Sequence, residues 1–346
     1  MWGRRFRVPN QFRCTDSSLI DPPADGSFLW DELFAYRLDR IVILRRNPLS
    51  SQSGFPSAVH PLTPVPAWVG KLLGNSLDAA SEAAQLDPGS DFRLVSACIS
   101  DADVMDGDAL GQASAEAYRS LRLSLVEGGP WHPVRIWNFV PRILGQGGGA
   151  MDRYMRFNAG RYRAFTEWFG GAQGFDSSLP AASAVGYAGS DLVAHALAAR
   201  APGTAIANPR QRDPHRYSKR FGPLPPCFAR ATRLESSPAG DILLVGGTSS
   251  VRGEESVHVG NLQLQLAETL ENLAALVQQA FGPSDQPLSC YRELRVYYLR
   301  EADLLALRSA VTAAFPHVSG IEWVQAELCR GDLLVEIEGL ASASAG

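Results

Sequence analysis

The chain carries the same order of sequence patterns twice: strand, helix, strand, helix and then further strands. In the first half, apolar runs at 92–100 and 133–140 are typical of strands, and a helical pattern follows each of them. In the second half, strand patterns at 241–247 and 294–300 are again each followed by a helical pattern. The helices are predicted from residue 109 and at 149–169, 261–280 and 301–315, with additional strands at 183–199.

This repeat restricts how the chain can bury its apolar residues. Helices on one face of a sheet leave the other face to be covered, and a second unit of the same kind can cover it. The repeat therefore predicts an α+β fold with two mixed-sheet halves and helices on one face of each sheet. Because clefts at domain junctions are common ligand sites, we expect an active site between the halves.

The length of the chain suits two domains. With 346 residues, each half can bury a core of its own. We predict that residues 1–220 form the N-terminal half, with an additional N-terminal segment and a basic loop, and that residues 221–346 form the C-terminal domain. Before residue 90 the sequence predicts only a strand at 40–46 and a loop in the Ser- and Pro-rich stretch 48–66.

Composition and charge argue against several classes of protein. The formal net charge of -4 gives no general reason to expect nucleic acid or an anionic membrane as a partner. No apolar run reaches the ~18 residues of a transmembrane helix, and the basic N-terminus lacks the apolar stretch of a secretory signal. The cysteines are scattered and odd in number, without C-x-x-C, and the histidines show no metal-ligand spacing. We predict a cytoplasmic protein with reduced thiols and no metal.

The stretch 326–339 reads A-E-L-C-R-G-D-L-L-V-E-I-E-G and predicts a β-hairpin. A two-residue loop that has Gly331 at its first position suits a type II′ turn. The predicted register pairs Arg330 with Leu333, Cys329 with Leu334, and Glu327 with Glu336. One face of this hairpin is apolar and is predicted to be core. The other face carries Cys329 and the glutamates, which indicates either a site or a wet surface.

A proline-rich basic stretch runs from residue 208 to residue 231. Its cations are Arg210, Arg212, Arg216, Lys219, Arg220 and Arg230. One interpretation is a solvated linker, since charge runs usually serve solubility. The other is a rigid loop whose guanidinium groups bind a carboxylated ligand bidentately. Nucleic acid is disfavoured, because no aromatic stacking series accompanies the basic residues.

The helical stretch 152–165 has one broad polar and aromatic face. Four side chains share it at helical spacing: Tyr154, Asn158, Arg161 and Tyr162. Such a face can bind a ligand, but arginines on helices are usually exposed. Asn158 followed by Gly160 is also typical of a helix end. Further along, G-G-T-S-S at 246–250 either cradles an anion with its backbone N–H groups or forms a turn.

Several of these motifs together resemble known families. L-L-V-G-G-T-S-S and the residues that follow it up to 277, with V-Y-Y-L-R and V-E-I-E-G, resemble the RidA/YjgF-like (chorismate-mutase-like) fold. With R-Y-M-R-F-N-A-G-R, N-P-R-Q and F-G-P-L-P-P-C-F-A-R-A-T, the chain is similar to the chorismatase family. The resemblance covers most of residues 130–342 and favours the 3-hydroxybenzoate synthase-like branch.

The resemblance implies a function and a set of residues. Chorismatases release pyruvate from the enolpyruvyl ether of chorismate without a metal or organic cofactor. The catalytic glutamate of the V-E-I-E-G strand corresponds to Glu336, and a cysteine seven residues earlier, here Cys329, marks the branch that forms 3-hydroxybenzoate, with 4-hydroxybenzoate as a second product. The resemblance implies substrate-binding roles for Tyr154, Arg161, Arg210, Tyr217, Arg230 and Arg300.

The predicted hairpin also suggests how Glu336 would work. A general acid at neutral pH needs a raised pKa, and Glu327 opposite Glu336 would raise the pKa of one of the pair. The alternative is that the glutamates are ordinary exposed strand residues and Cys329 a small buried apolar one. Other activities also stay open: hydrolysis of chorismate to 3,4-dihydroxycyclohexa-1,5-diene carboxylate, imine deamination of the RidA type, or non-catalytic ligand binding.

Overall fold

The computed structural model describes residues 41–44, 65–73, 91–127, 129–237, 240–318 and 320–343. Most of the loop predicted at 48–66 and the ends of the strand predicted at 40–46 lie outside these ranges. The described residues belong to one compact unit. None of their helices is long and apolar enough to cross a membrane.

The first sheet, as far as the described residues extend, contains five strands in the order β1-β2-β5-β3-β4. These strands are β1 (Ile41–Leu44), β2 (Phe92–Ile99), β3 (His132–Pro141), β4 (Ala181–Tyr187) and β5 (Leu192–Ala199). Strands β3 and β4 are parallel, and the other neighbours are antiparallel. Helices α2 (Gly107–Val126) and α3 (Arg153–Phe169) pack on one face of this sheet. Helix α1 (Trp68–Leu72) precedes them, and the short helix α4 (Phe175–Ser178) follows them.

Local sequence explains where the two long helices of the first half begin and how they meet. The side chains of Asp106 and Asp152 accept hydrogen bonds from the backbone N–H groups of Ala109 (2.8 Å) and Met155 (2.7 Å), which caps α2 and α3. A Cβ atom at Gly160 would lie 2.1 Å from a backbone oxygen of α2. Gly160 thus permits close helix packing, and it does not end α3, which continues to Phe169.

The second sheet has six described strands in the order β12-β11-β13-β8-β7-β6. These are β6 (Thr204–Ile206), β7 (Ala231–Ser237), β8 (Gly240–Ser249), β11 (Tyr291–Tyr298), β12 (Ile321–Gln325) and β13 (Val335–Ser342). Helices α5 (Leu262–Phe281) and α6 (Leu304–Ala314) cover one face. A small ribbon of β9 (Val251–Arg252) and β10 (Glu255–Ser256) extends beyond β8. The predicted strand and helix patterns between residues 92 and 315 all correspond to observed elements.

Three buried apolar clusters show how the halves are arranged. One lies between the first sheet and helices α2 and α3, and another lies between the second sheet and helices α5 and α6. The third joins the two sheets, with Trp137 and Leu197 from the first and Leu244 and Tyr297 from the second. The sheets therefore face one another with the helices outside, and the predicted α+β fold class is confirmed.

The predicted hairpin at 326–339 is wrong. Strand β11 lies between β12 and β13: it is parallel to β12 and antiparallel to β13. A turn does form, with the Leu333 N–H donating to the Arg330 carbonyl at 3.2 Å, but residues 326–334 cross toward the first sheet, where the Gly186 N–H donates to the Glu327 carbonyl at 2.7 Å. The apolar alternation that suggested strand pairing reflects burial of this crossing segment between the sheets.

The chain path between the halves is also more interleaved than the repeat suggests. Strand β6 (Thr204–Ile206) pairs with β7 and belongs to the second sheet, although it precedes residue 220. The assignment of residues 1–220 and 221–346 to separate domains stays a prediction.

Candidate active site

A cavity of about 410 Å³ opens between the two halves. Helix α3 of the first half contributes Tyr154 and Met155, and strands β8 and β13 of the second half contribute Ser249 and Glu336. Other walls come from segments without regular strands, including Tyr217, Arg220, Phe221, Phe228, Arg230, Cys329 and Arg330. The position agrees with the expectation of a site between the halves.

Glu336 is the buried carboxyl group of this cavity. Strand alternation directs Val335 and Ile337 toward helices α5 and α6, and Glu336 toward the first sheet. Only 4% of Glu336 is exposed, and the Ser249 hydroxyl donates a hydrogen bond to Oε2 at 3.2 Å. Burial, followed by the charge of Glu338, raises the pKa of Glu336 to about 7. Near neutral pH, Glu336 can therefore hold a proton and also release it.

The cause of this shift differs from the predicted one. Glu327, which the hairpin would have placed opposite Glu336, is exposed, and its carbonyl oxygen bonds to the first sheet. Glu338 takes its place as the neighbouring negative charge, two residues along β13 on the same face. The predicted direction of the shift agrees with the structure, but the predicted partner does not.

The G-G-T-S-S motif shapes the strand beside this carboxyl group. Strand β8 runs on to Ser249, but its register with β13 shifts between Ile337 and Gly339, so that two glycines lie opposite Glu338. A Cβ atom at Gly247 would lie 2.0 Å from Oε1 of Glu336. Glycine is therefore required for the backbone to approach the carboxyl group, as at many β-bulges beside functional sites.

Cys329 lines the same cavity on the segment before β13. Burial first, and then the charge of Glu336, raises the pKa of Cys329 to about 12, so the side chain is a thiol near neutral pH. It also hydrogen-bonds with Tyr154, whose own pKa is raised by burial. The structure thus brings Cys329, Tyr154 and Glu336 together although they do not share a hairpin.

Arg230 belongs to the cationic wall of the cavity, which also contains Arg330, and it lies beside Tyr217. Arg230 is buried, and its Nη2 donates to the Tyr217 hydroxyl at 2.6 Å and to the Arg212 carbonyl at 2.9 Å. Its Nε has no hydrogen-bond partner among the described residues. Because a buried N–H without a partner is costly, this guanidinium is poised to bind an anion that enters the cavity.

Arg330 is a cavity residue that the sequence analysis did not select. Its Nη1 donates to the Glu254 carbonyl at 2.8 Å and to the Ser256 hydroxyl at 3.3 Å. Its guanidinium carbon lies 4.2 Å from the ring centroid of Phe221 and 5.3 Å from that of Tyr217. The C-R-G-D sequence signalled only a turn, so spacing alone gave no reason to prefer Arg330.

Arginines and aromatic rings alternate from one wall of the cavity into the core behind it. The order is Phe221, Arg330, Tyr217, Arg230, Phe228, Arg161 and Phe157, with guanidinium-to-centroid distances between 4.2 and 5.7 Å. Within the described part of the chain, none of these three arginines forms an ion pair with a carboxylate. Aromatic faces stabilise such cations without neutralising them, so the wall keeps its positive charge.

Three predicted substrate-binding arginines do not line the cavity. Arg161 is buried behind Phe228 and donates to Asn158 Oδ1 at 2.7 Å. Arg210 is held on helix α5 by Glu268 at 2.7 Å and Glu271 at 2.5 Å. Arg300 is exposed and pairs with Asp303 at 2.7 Å. The positions of Arg210 and Arg300 give no support to a direct role in substrate binding.

One group of described residues has ligand atoms close enough to hold a metal ion: Asp176, Asp213 and His215, whose atoms lie within 4.8 Å of one another. Spacing along the sequence could not reveal it, because Asp176 is distant in the chain. The Asp176 carboxylate already pairs with His215 and with Arg216. This group does not contribute to the cavity walls.

Fold and cavity together are those expected of an enzyme for a small anionic substrate: a partly protonated carboxyl group faces arginines that lack carboxylate partners. Comparison with known proteins agrees. The sequence signature described as "Chorismatase FkbO/Hyg5-like, N-terminal" matches residues 77–198. A "3-hydroxybenzoate synthase" of Streptomyces hygroscopicus is 37% identical over 238 residues, which is 66% of this chain and 69% of the relative.

Two other relatives extend the comparison. A "Chorismatase" of Streptomyces rapamycinicus is 32% identical over 60% of this chain and 63% of its own length. A crystal structure of a chorismatase is similar with a TM-score of 0.62 and 28% identity, covering 73% of this chain and 75% of that one. The chain belongs to the chorismatase family.

Proposed function

We propose that this protein cleaves the enolpyruvyl ether of chorismate, releasing pyruvate and forming mainly 3-hydroxybenzoate, with Glu336 as the general acid. Relatives with the names 3-hydroxybenzoate synthase and chorismatase support the substrate class. The observation that carries the proposal is the cavity itself, which is lined by a carboxyl group with a pKa of about 7 and by Arg230 and Arg330, neither of which forms an ion pair with a carboxylate of the described residues.

The first chemical step requires a proton at the terminal methylene carbon of the enol ether. Glu336 is suited to this step because it is buried and its raised pKa keeps a large fraction protonated near neutral pH. Protonation yields an oxocarbenium ion, which water or the neighbouring ring hydroxyl attacks. Transfer of the proton leaves the Glu336 carboxylate negatively charged, and Arg230, one of the cations near it, favours that charge.

The arginines of the cationic wall orient the substrate. Chorismate has two carboxylates, and the wall presents two arginines that the described carboxylates do not neutralise, Arg230 and Arg330. A guanidinium binds a carboxylate with two parallel hydrogen bonds, which fixes both position and angle. Such positioning can supply several kcal/mol toward the transition state.

The product depends on what happens at the ring after the ether has been activated. Forming a hydroxybenzoate divides the atoms of chorismate between pyruvate and the aromatic product without added water, whereas forming pyruvate and the dihydroxy-diene consumes one water. We assign the aromatising role to Cys329, a thiol near neutral pH within the same cavity as Glu336. Direct hydrolysis to the diene is the second candidate, because two relatives carry only the name chorismatase.

Incubation of the purified protein with chorismate tests the proposal. We expect stoichiometric pyruvate, detected by lactate dehydrogenase coupling, with 3-hydroxybenzoate as the main aromatic product on chromatography. Glu336→Gln should lower pyruvate release by about 100-fold or more, because the amide preserves shape but cannot donate the proton. Thermal unfolding of both proteins controls for loss of structure. No pyruvate from the wild-type protein, or more than about a tenth of wild-type turnover in the variant, would reject the proposal.

A further inference from the structure

Glu336 and Glu338 share one strand and one face, yet they have different surroundings. Glu338 is fully buried. Its oxygens accept hydrogen bonds from Arg135 Nη2 at 2.6 Å, from Trp137 Nε1 at 2.8 Å and from the Tyr297 hydroxyl at 3.3 Å. Three donors, one of them the guanidinium of Arg135, bind the Glu338 side chain between the two sheets.

Both partners of the ion pair come from rigid elements on opposite sides of the inter-sheet core. Arg135 and Trp137 lie on β3 of the first sheet, and Glu338 lies on β13 of the second. Arg135 is itself fixed by the Ile136 carbonyl at 2.7 Å and the Ser183 hydroxyl at 3.0 Å, and its guanidinium lies 4.7 Å from the Trp137 ring centroid. These contacts therefore hold the Arg135–Glu338 ion pair in one position relative to the cavity.

We infer that Glu338 is a positioning residue that acts through Glu336, its fixed negative charge holding the catalytic proton on Glu336 until substrate arrives. Residues two apart on a strand are separated by about 6.6 Å, a distance at which like charges still repel measurably in a protein interior. This inference deepens the proposed function and rests on it, since a proton held on Glu336 matters for catalysis only if Glu336 is the acid.

Other charged, titratable and hydrogen-bonding groups also surround Glu336. They are Arg135 from β3, Ser249 from β8, Arg230 from the segment before β7, Cys329 from the crossing segment and, across β11, Tyr297. Arg135 and Arg230 favour the ionised form of Glu336, and so does the Ser249 hydrogen bond. Burial and Glu338 favour the protonated form and together outweigh them.

Glu338→Gln tests the inference because it removes the negative charge at nearly constant shape. The amide oxygen can still accept the hydrogen bond from Arg135, while the amide NH2 replaces the oxygen that accepts from Trp137. The protonation of Glu336 can be followed by difference infrared spectroscopy, with the carboxyl band assigned by its loss in Glu336→Gln. We expect the midpoint of this titration to fall by about 1–2 pH units. Glu338→Asp, which retains the charge, should keep most of the wild-type midpoint.

A matched control is Glu268→Gln. Glu268 is also a buried glutamate paired with arginines, Arg210 and Arg252, but it is not among the groups that shift Glu336. Its replacement should leave the Glu336 midpoint unchanged. If Glu338→Gln does not fold, the double variant Arg135→Gln/Glu338→Gln replaces it. Because Glu338 affects Glu336 more than Arg135 does, the midpoint should still fall, by a smaller amount.

The rate of pyruvate release separates the two ideas under test. In Glu338→Gln the alkaline limb of the rate profile should move with the Glu336 midpoint, lowering the rate at pH 7 by about five- to fiftyfold, with recovery in acid. An unchanged midpoint overturns the role of Glu338 and leaves the proposed function intact. A midpoint that moves while the rate profile does not would support the role of Glu338 and remove Glu336 as the acid.

Discussion

The first part of the basic stretch, a loop at residues 208–216, and the cavity wall contain the same kind of side chain in opposite circumstances. In the loop, Arg210 pairs with carboxylates of α5 and Arg216 pairs with Asp176. On the wall, aromatic rings, hydroxyls and backbone carbonyls surround Arg230 and Arg330 instead. An arginine paired with a protein carboxylate already has its charge compensated within the fold, whereas one held by neutral groups is available to an anionic ligand.

This difference was not accessible from local sequence. The carboxylate partners of the loop arginines lie in distant parts of the chain, such as Glu268 on α5 and Asp176 on α4. A count of cations in a window therefore favours the loop, although Arg230, whose Nε has no hydrogen-bond partner among the described residues, lies on the wall.

Arg230→Lys should give the largest change of the substitutions that test this comparison. Lysine keeps the charge but loses the planar fork and the stacking on Tyr217 and Phe228. We expect kcat/KM for pyruvate release to fall by about 30-fold or more, since disrupting a buried charged contact costs roughly 2 kcal/mol or more. Steady-state assays measure this effect, with circular dichroism to verify folding. A variant with wild-type kcat/KM would mean that the wall arginine is not a ligand for the substrate.

Cys329→Ala should change the product more than the rate. Without the thiol, we expect product to shift from 3-hydroxybenzoate toward the dihydroxy-diene while Glu336 continues to release pyruvate. Chromatography of both proteins at equal conversion of chorismate measures the shift. Cys290→Ala is the matched control, because Cys290 is a free cysteine packed against the core beneath α5 and α6, away from the cavity. The same product mixture from Cys329→Ala and wild type would reduce Cys329 to a packing role.

Arg210→Lys should have the smallest effect on activity. Its guanidinium is occupied by Glu268, Glu271 and Asn272, so the substitution removes contacts to α5 and leaves the cavity wall unchanged. We expect KM for chorismate to stay within about twofold of wild type and the free energy of unfolding to fall by about 1 kcal/mol. Kinetics and urea denaturation measure the two effects. A large rise in KM with unchanged stability would return Arg210 to the substrate site.

Much of the fold was predictable because periodicity reports burial directly. The repeated strand and helix patterns fixed two sheets with helices outside, and the capping residues Asp106, Asp152 and Asn261 lie where the helices begin. The hairpin prediction relied on the same signal, the alternation of apolar residues, and it was wrong. Alternation reveals which side chains are buried, but it does not reveal which strand lies next door, and β11 lies between β12 and β13.

The candidate site was likewise only partly predictable from the sequence. Glu336, Cys329, Tyr154, Tyr217 and Arg230 were selected by resemblance, and all five line one cavity. Their catalytic and binding roles stay predictions. The source of the raised pKa of the acid could not be read from the sequence, because it depends on burial between sheets and on the charge of a neighbour along the strand.

The pH dependence of pyruvate release by the wild-type protein tests the central claim most directly. The pKa of Glu336 is raised to about 7, so the acid form predominates below that value and is lost as pH rises through it. We predict that kcat/KM is constant on the acidic side and falls about tenfold per pH unit above a midpoint near 7. The midpoint should be absent from the residual activity of Glu336→Gln. A rate that increases as pH rises through 7, or a profile identical in the variant, would contradict the assignment of Glu336 as the proton donor.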